Sequence, residues 1–223
     1  MPYSIFGRPR AGMAIAQALI LVLGTPLAWL LASRRFHGRA LVLTLVELPL
    51  VLPPAVAGLG LLAAFGRAGL LHTSIPFTQT AVVLAIAFVS SPLYVRQAVA
   101  AFEAVDPDLI GASRTLGAGP GRTFFRVVLP LARNGLAAGE ALAFARGLGE
   151  FGATIMFAGS LQAVTQTLPL AIYAQFEQDF DLALAIGALF VLVGAIILVV
   201  LKLLPRWDSL SISPYRAASS TSS

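Results

Sequence analysis

Five apolar runs, each about as long as a bilayer is thick, divide this chain and leave few other folds open to it. Crossing a hydrocarbon core of about 30 Å takes roughly 20 predominantly apolar residues in helical form. Runs of that kind extend from about Gly12 to Ala32, Leu41 to Phe65, Thr80 to Phe102, Gly135 to Ala158 and Leu182 to Leu204. The expected fold is an all-α integral membrane protein of about five transmembrane helices. One domain spans residues 12–204, with short terminal segments at 1–11 and 205–223. Composition agrees, since 58% of the residues are hydrophobic and 11% charged, against about a quarter charged in soluble domains.

The formal net charge of +5 does not point to nucleic acid, because the arginines stand in short clusters beside the apolar runs. Such clusters are topology signals. The segment from Glu103 to Arg133 carries Arg114, Arg122, Arg126 and Arg133, and the positive-inside rule makes it cytoplasmic. Arg34, Arg35 and Arg39 fall on the same side, as do Lys202 and Arg206, whereas Gly147 to Leu201 holds no basic residue. The connection with Glu177, Asp179 and Asp181 is therefore expected outside, as is the N-terminus, with the C-terminus cytoplasmic. Arg8 and Arg10 argue weakly the other way. A basic start before an apolar run also suits a cleaved signal peptide, but this run exceeds the usual length of about 7–15 residues. The last residues, SLSISPYRAASSTSS, read as a flexible cytoplasmic end. Cysteine is absent and the histidines, His37 and His72, stand alone, so they read as loop residues and no disulfide or metal site is expected.

Charges and prolines inside the runs are the next signal. The fourth run holds Glu140, Arg146 and Glu150, each costing about 2.5–3.5 kcal/mol near a helix centre on the insertion scale. Arg146, Glu150 and Thr154 are four apart and fall along one side of a helix, where Arg146 can pair with Glu150. Gly135, Gly139, Ala143 and Gly147 form an adjacent stripe of small residues that admits a neighbouring helix closely. Two readings stand side by side: a buried structural ion pair, or a polar stripe bordering a translocation route or gate. In the second run Glu47, Pro49, Pro53 and Pro54 predict a bent helix facing that route, since proline removes donors and free backbone at membrane depth must be buried or line a cavity. Ser90, Ser91 and Pro92 repeat the device more weakly in the third run, where a packing kink serves equally well.

Residues 111–130 read GASRTLGAGPGRTFFRVVLP. The pattern predicts a helix, a turn and a second helix, with Gly117 and Gly119-Pro120-Gly121 giving freedom to the bend. Lys202 is the sole lysine and no GxxxxGK[ST] phosphate loop exists, so this chain is not itself an ATPase. A membrane enzyme is also unsupported, for want of a nucleophile, metal cluster or paired carboxylates.

The spacing of this loop resembles the cytoplasmic EAA loop of bacterial ABC importer permeases, which runs Glu-Ala-Ala, three residues, Gly, nine residues, Ile, one residue, Leu-Pro. Gly111, Ala112, Ser113, Gly117, Val127, Leu129 and Pro130 occupy those positions. Gly111 departs from the glutamate, Ser113 from the alanine and Val127 from the isoleucine; Gly111 removes an acidic side chain and weakens a helix start. The resemblance implies that the loop docks into a cleft of a separate ATPase subunit.

Beyond the loop, PLVLPPAVAGLGLL, FARGLGEFGATIMFAG and TQTLPLAIY resemble molybdate transport permeases, and the likeness runs from Leu27 to about Leu204. The GEFGA element is similar in sulfate and thiosulfate permeases, and SLQAVTQTL departs from the family's usual asparagine and PGRTQTL-type segment. The resemblance implies a homodimer of this chain, two cytoplasmic ATPase subunits that bind ATP and magnesium, and an external oxyanion-binding protein. It implies no cofactor or metal in this chain and a place in the bacterial cytoplasmic membrane. Its cargo would be molybdate or tungstate, with sulfate or thiosulfate as the alternative. Glu47, Pro53, Pro54, Ser90, Ser91, Arg146, Glu150 and Thr154 are the pathway or gate candidates. An ion-coupled secondary transporter would also use intramembrane Arg and Glu, but such proteins often carry internal repeats, and none is evident.

Overall fold

A computed structural model describes residues 9–203. The serine-rich end, Arg8, Leu204 and Arg206 lie outside the described residues, so the expectations attached to them stop there.

Each of the five apolar runs folds as helix. The first forms α1 (Pro9–Ser33), the third α4 (Gln79–Glu103) and the fifth α10 (Phe180–Leu203). The second is divided into α2 (Arg39–Val51) and α3 (Pro54–Phe65), and the fourth into α7 (Leu129–Leu148) and α8 (Gly152–Ala158). Between them lie α5 (Pro107–Thr115), α6 (Pro120–Thr123) with a π-helical turn at Phe124–Val128, and α9 (Leu168–Phe176). Among the described residues α1, α4 and α10 are long and apolar enough to cross a membrane alone, and α2 with α3 qualifies as one bent span. The charged α7 does not qualify, and the fourth run is not the single helix expected from Gly135 to Ala158.

The helix α4 is the axis of the bundle. Its alanines Ala81, Ala85 and Ala98 are fully buried, and Val89, Tyr94 and Val95 nearly so. The expected small stripe of α7 lies against it: a side chain on Gly135 would strike Ala101, one on Gly139 would reach Gln97 and the Tyr94 carbonyl, and one on Gly147 would meet Ile86 and Ser90. Two helices without intervening side chains gain dispersion contacts that lipid cannot supply. The contacts run in opposite directions, so α4 and α7 are antiparallel. The apolar surface of α10 stays exposed along most of its length, as at Val191, Leu192 and Val199, in keeping with a lipid-facing helix.

Helix α4 runs through Pro92 without a break. Proline there withdraws the N–H that would bond the Phe88 carbonyl, and Ser91 Oγ donates to that carbonyl at 3.4 Å instead. Ser91 therefore serves its own helix. The double proline of the second run acts as expected. A residue before proline is driven to extended backbone; Leu52 (ψ 136°) precedes Pro53 and Pro53 (ψ 135°) precedes Pro54, and the chain turns by 118° between α2 and α3.

At one end of the bundle the turn carrying Arg34, Arg35 and His37 meets the end of α4. Arg39 donates to the Leu31 carbonyl at 2.8 Å and to Glu103 at 2.6 Å. The placement of Arg34, Arg35 and Arg39 on the same side as the 103–133 loop follows from this contact. His37 and His72 both lie in connections between helices.

Candidate translocation site and coupling loop

The two broken spans meet at their breaks. Gly152, the first residue of α8, is so close to α3 that an added Cβ would lie 2.7 Å from Pro54 Cβ and 3.0 Å from the Ala55 nitrogen. One turn on, a Cβ on Gly58 would lie 2.6 Å from the Ala153 carbonyl oxygen and 2.8 Å from Met156 Cβ. Backbone therefore packs on backbone where both helices are interrupted.

Glu150 sits inside the second break. Its side chain is 1% exposed and that of Arg146 is 29% exposed. Arg146 Nη1 donates to Glu150 Oε2 at 2.6 Å, and the Ala153 N–H donates to Glu150 Oε1 at 2.6 Å. One carboxylate thus holds the last turn of α7 through Arg146 and satisfies an otherwise free N–H at the start of α8. The predicted Arg146–Glu150 pair is formed. The single stripe with Thr154 is not, because the helix ends at Leu148 and Thr154 belongs to α8. A break in a helix at membrane depth is tolerated only where another group satisfies the freed backbone, and here Glu150 is that group.

The other candidates divide in two. Ser90 and Thr154 are fully buried, and both hydroxyls lack a partner among the described residues; Ser90 faces Gly147, beside Arg146. Pro54 touches Gly152, and Pro53 sets the bend. These four, together with Arg146 and Glu150, surround the meeting breaks. Glu47 and Ser91 stand apart. Glu47 pairs with Arg96 of α4, 3.2 Å away, with side chains 39% and 60% exposed. Sequence reasoning missed Arg96, and the signal available was a lone arginine within an apolar run. Glu140 is half-buried, its Oε2 enclosed and without a partner among the described residues.

The loop has the expected helix, turn, helix form. Asp106 caps α5 by accepting from the Asp108 N–H at 2.9 Å. Gly117 ends it at φ +81°, with bonds of 3.0 Å from Ala118 N to the Ser113 carbonyl and from Gly117 N to the Arg114 carbonyl, the paired closure that glycine in the left-handed region permits. Gly119 has an ordinary φ of −68° and Gly121 lies inside α6, so Gly117 alone supplies the conformational freedom. Gly111 lies within α5 rather than at its start, and Asp106 has the capping role. Ser113 Oγ bonds Thr123 Oγ1 at 3.1 Å and joins α5 to α6. Trp29, Phe102 and Phe124 have ring centroids 5.3–6.0 Å apart and fasten the loop to α1 and α4. Val127 and Leu129 are half-buried in the following turns, while Gly111, Ala112 and Pro130 are exposed. Leu116 at the tip is 87% exposed. The loop is a braced knob with an apolar tip.

Residues 24–207 match the family model described as "Binding-protein-dependent transport system inner membrane component". The chain belongs to this family. Among its relatives, the molybdenum transport system permease protein ModB of Mycobacterium bovis is 47% identical over 191 residues, covering 82% of this chain and 72% of the relative. ModB of Escherichia coli is 43% identical over 172 residues, covering 74% and 75% of the two chains. The solved structure described as inward-facing conformations of the MetNI methionine ABC transporter aligns with a TM-score of 0.68 at 20% identity, over 87% of this chain and 89% of that one. The permease fold, helical throughout the described residues and multi-pass, is thereby established, and the chain is a membrane component of a transport system.

Proposed function

We propose that this chain is the membrane-spanning subunit of an ABC importer that carries molybdate across the cytoplasmic membrane. The observation that carries the reading is the 47% identity over 191 residues with a permease named for molybdenum transport. Tungstate, of like charge and shape, would travel by the same route. In this reading two copies of the chain form the pathway, two separate ATPase subunits hold ATP and magnesium, and an external binding protein delivers the oxyanion. The N-terminus faces outward and the C-terminus the cytoplasm. The 103–133 loop, through Gly111, Ala112, Ser113, Gly117, Val127, Leu129 and Pro130, seats in the ATPase.

Force applied to the knob reaches α4 and α1 through the Trp29–Phe102–Phe124 cluster and reaches α7 directly, since the π-helical turn runs into it. At the far end of α7, Arg146 and Glu150 transmit that motion to α8 and so to its contact with α3. ATP binding draws the two knobs together and turns the breaks outward; hydrolysis resets them. Arg146, with its side chain partly exposed, is the cation of this region suited to an anion in transit, while Glu150 holds it in place.

Labelled molybdate uptake in cells lacking this chain, with and without its gene restored, tests the reading. Uptake should depend on the chain, fall with excess unlabelled tungstate and withstand excess sulfate. Uptake independent of the chain, or displaced by sulfate alone, refutes it.

A further inference from the structure

A cleft of about 1130 Å³ opens at the loop end of the bundle, away from the helix breaks. Trp29 and Leu43 on the first two helices and Ile110 on α5 give it apolar walls, and Arg35, Arg39 and Arg114 lie at it. Glu103, also in the lining, is engaged by Arg39 at 2.6 Å. Arg35 and Arg114 have no salt-bridge partner among the described residues. Two arginines on one cleft are thus left without an anion.

The position narrows the choice of anion. The lining comes from the last turns of α1 and α4, the connection after α1 that carries Arg35 and His37, the first turns of α2, and α5, the level at which the apolar spans of α1 and α4 end. Trp29 at that level is the usual residue of a bilayer interface. A cleft with two unpaired arginines and apolar walls at this depth matches a phosphate joined to acyl chains rather than a freely dissolved anion, and basic pockets between helix ends take such headgroups. On α5 the cleft is lined by Pro107, Ile110 and Arg114. The exposed Ala112 and Leu116 are not in the lining, so an ATPase and a lipid would use different faces of that helix.

We propose that this cleft binds the headgroup of an anionic phospholipid, its phosphate held by Arg35 and Arg114 and its glycerol and upper acyl chain against Leu43 and Ile110. The proposal is independent of the transported cargo, because its readout is lipid occupancy and not uptake.

The chain has two tryptophans, Trp29 and Trp207, so Trp207→Phe leaves Trp29 as the sole reporter. The full chain is reconstituted in lipid discs containing brominated phosphatidylglycerol or brominated phosphatidylcholine, and quenching of Trp29 is followed against mole fraction. Phosphatidylglycerol should reach half-quenching at a roughly 10- to 30-fold lower mole fraction, the preference expected of two basic side chains near an anionic surface. Arg35→Gln with Arg114→Gln should bring the two lipids close to parity, while Arg35→Lys with Arg114→Lys should retain most of the preference and guard against misfolding as the cause. Parity in the parent chain, or a preference that survives the Gln pair, overturns the proposal. Abolition of the preference by millimolar inorganic phosphate assigns the site to a free anion and overturns it as well. Its loss when the chain is purified with its ATPase subunits assigns the arginines to a protein contact and likewise overturns it.

Discussion

Replacing Glu150 with alanine tests the clamp between α7 and α8. The change removes both acceptors at once, leaving Arg146 Nη1 and the Ala153 N–H without the partners they hold at 2.6 Å. Breaking a buried ion pair from one side costs about 3–5 kcal/mol, and the lost helix-start bond about 1 kcal/mol. Because the Arg146 side chain is 29% exposed, its orphaned charge regains some solvation, which brings the total down to about 3 kcal/mol. At about 2–4 °C per kcal/mol for a chain of this size, the melting temperature should fall by about 6–12 °C. Glu150→Gln keeps an oxygen for Ala153 and loses the charge-assisted half of the interaction, so about 1–2 kcal/mol should go. The double change Arg146→Met with Glu150→Met removes charge and counter-charge together and should recover most of the stability without recovering transport. Unfolding is best followed by calorimetry or intrinsic fluorescence, since the chain has no cysteine for thiol-reactive dyes. A Glu150→Ala protein that melts within about 2 °C of the parent refutes the clamp.

Gly58→Leu should force α3 from α8, because even a Cβ would lie 2.6 Å from the Ala153 carbonyl oxygen; a loss of about 1–3 kcal/mol and of uptake is expected, and an unchanged melting curve would show that the helices separate freely. Gly117→Val at φ +81° should strain the loop by roughly 1–2 kcal/mol and leave the protein in the membrane but inactive, whereas normal uptake would dismiss loop docking. Glu103→Gln should change stability by no more than about 1 kcal/mol, since the Arg39–Glu103 side chains are 31% and 48% exposed and water screens such pairs. Trp29→Ala should cost about 2–3 kcal/mol, less than a fully buried aromatic because Trp29 is half-buried, and a small effect in calorimetry would show that the loop is braced elsewhere.

The sequence alone located the elements that depend on neighbouring residues. Apolar runs marked all five helical stretches, because the requirement to span lipid is a sum over consecutive side chains. The bend at Pro53 and Pro54 followed from the steric effect of proline on the residue before it. Gly117 was recognisable by its place in the loop spacing, and Arg146 and Glu150 found each other because four residues make about one helical turn. The same local logic was silent on finer points. Hydropathy did not say that Ser91 would take up the carbonyl freed by Pro92, and nothing in GLGEFGA said whether the helix would continue through Glu150 or stop.

Tertiary structure decided the pairings of Glu47 with Arg96 and of Arg39 with Glu103, which are 64 residues apart. It also brought Gly152 against Pro54, so that one break expected from its prolines and one hidden in a glycine-rich stretch became a single site. The reason is geometric. Hydropathy and proline chemistry are fixed by the chain's own neighbours, but which face of a helix meets which partner depends on rotation and close packing among helices, and no residue specifies that by itself.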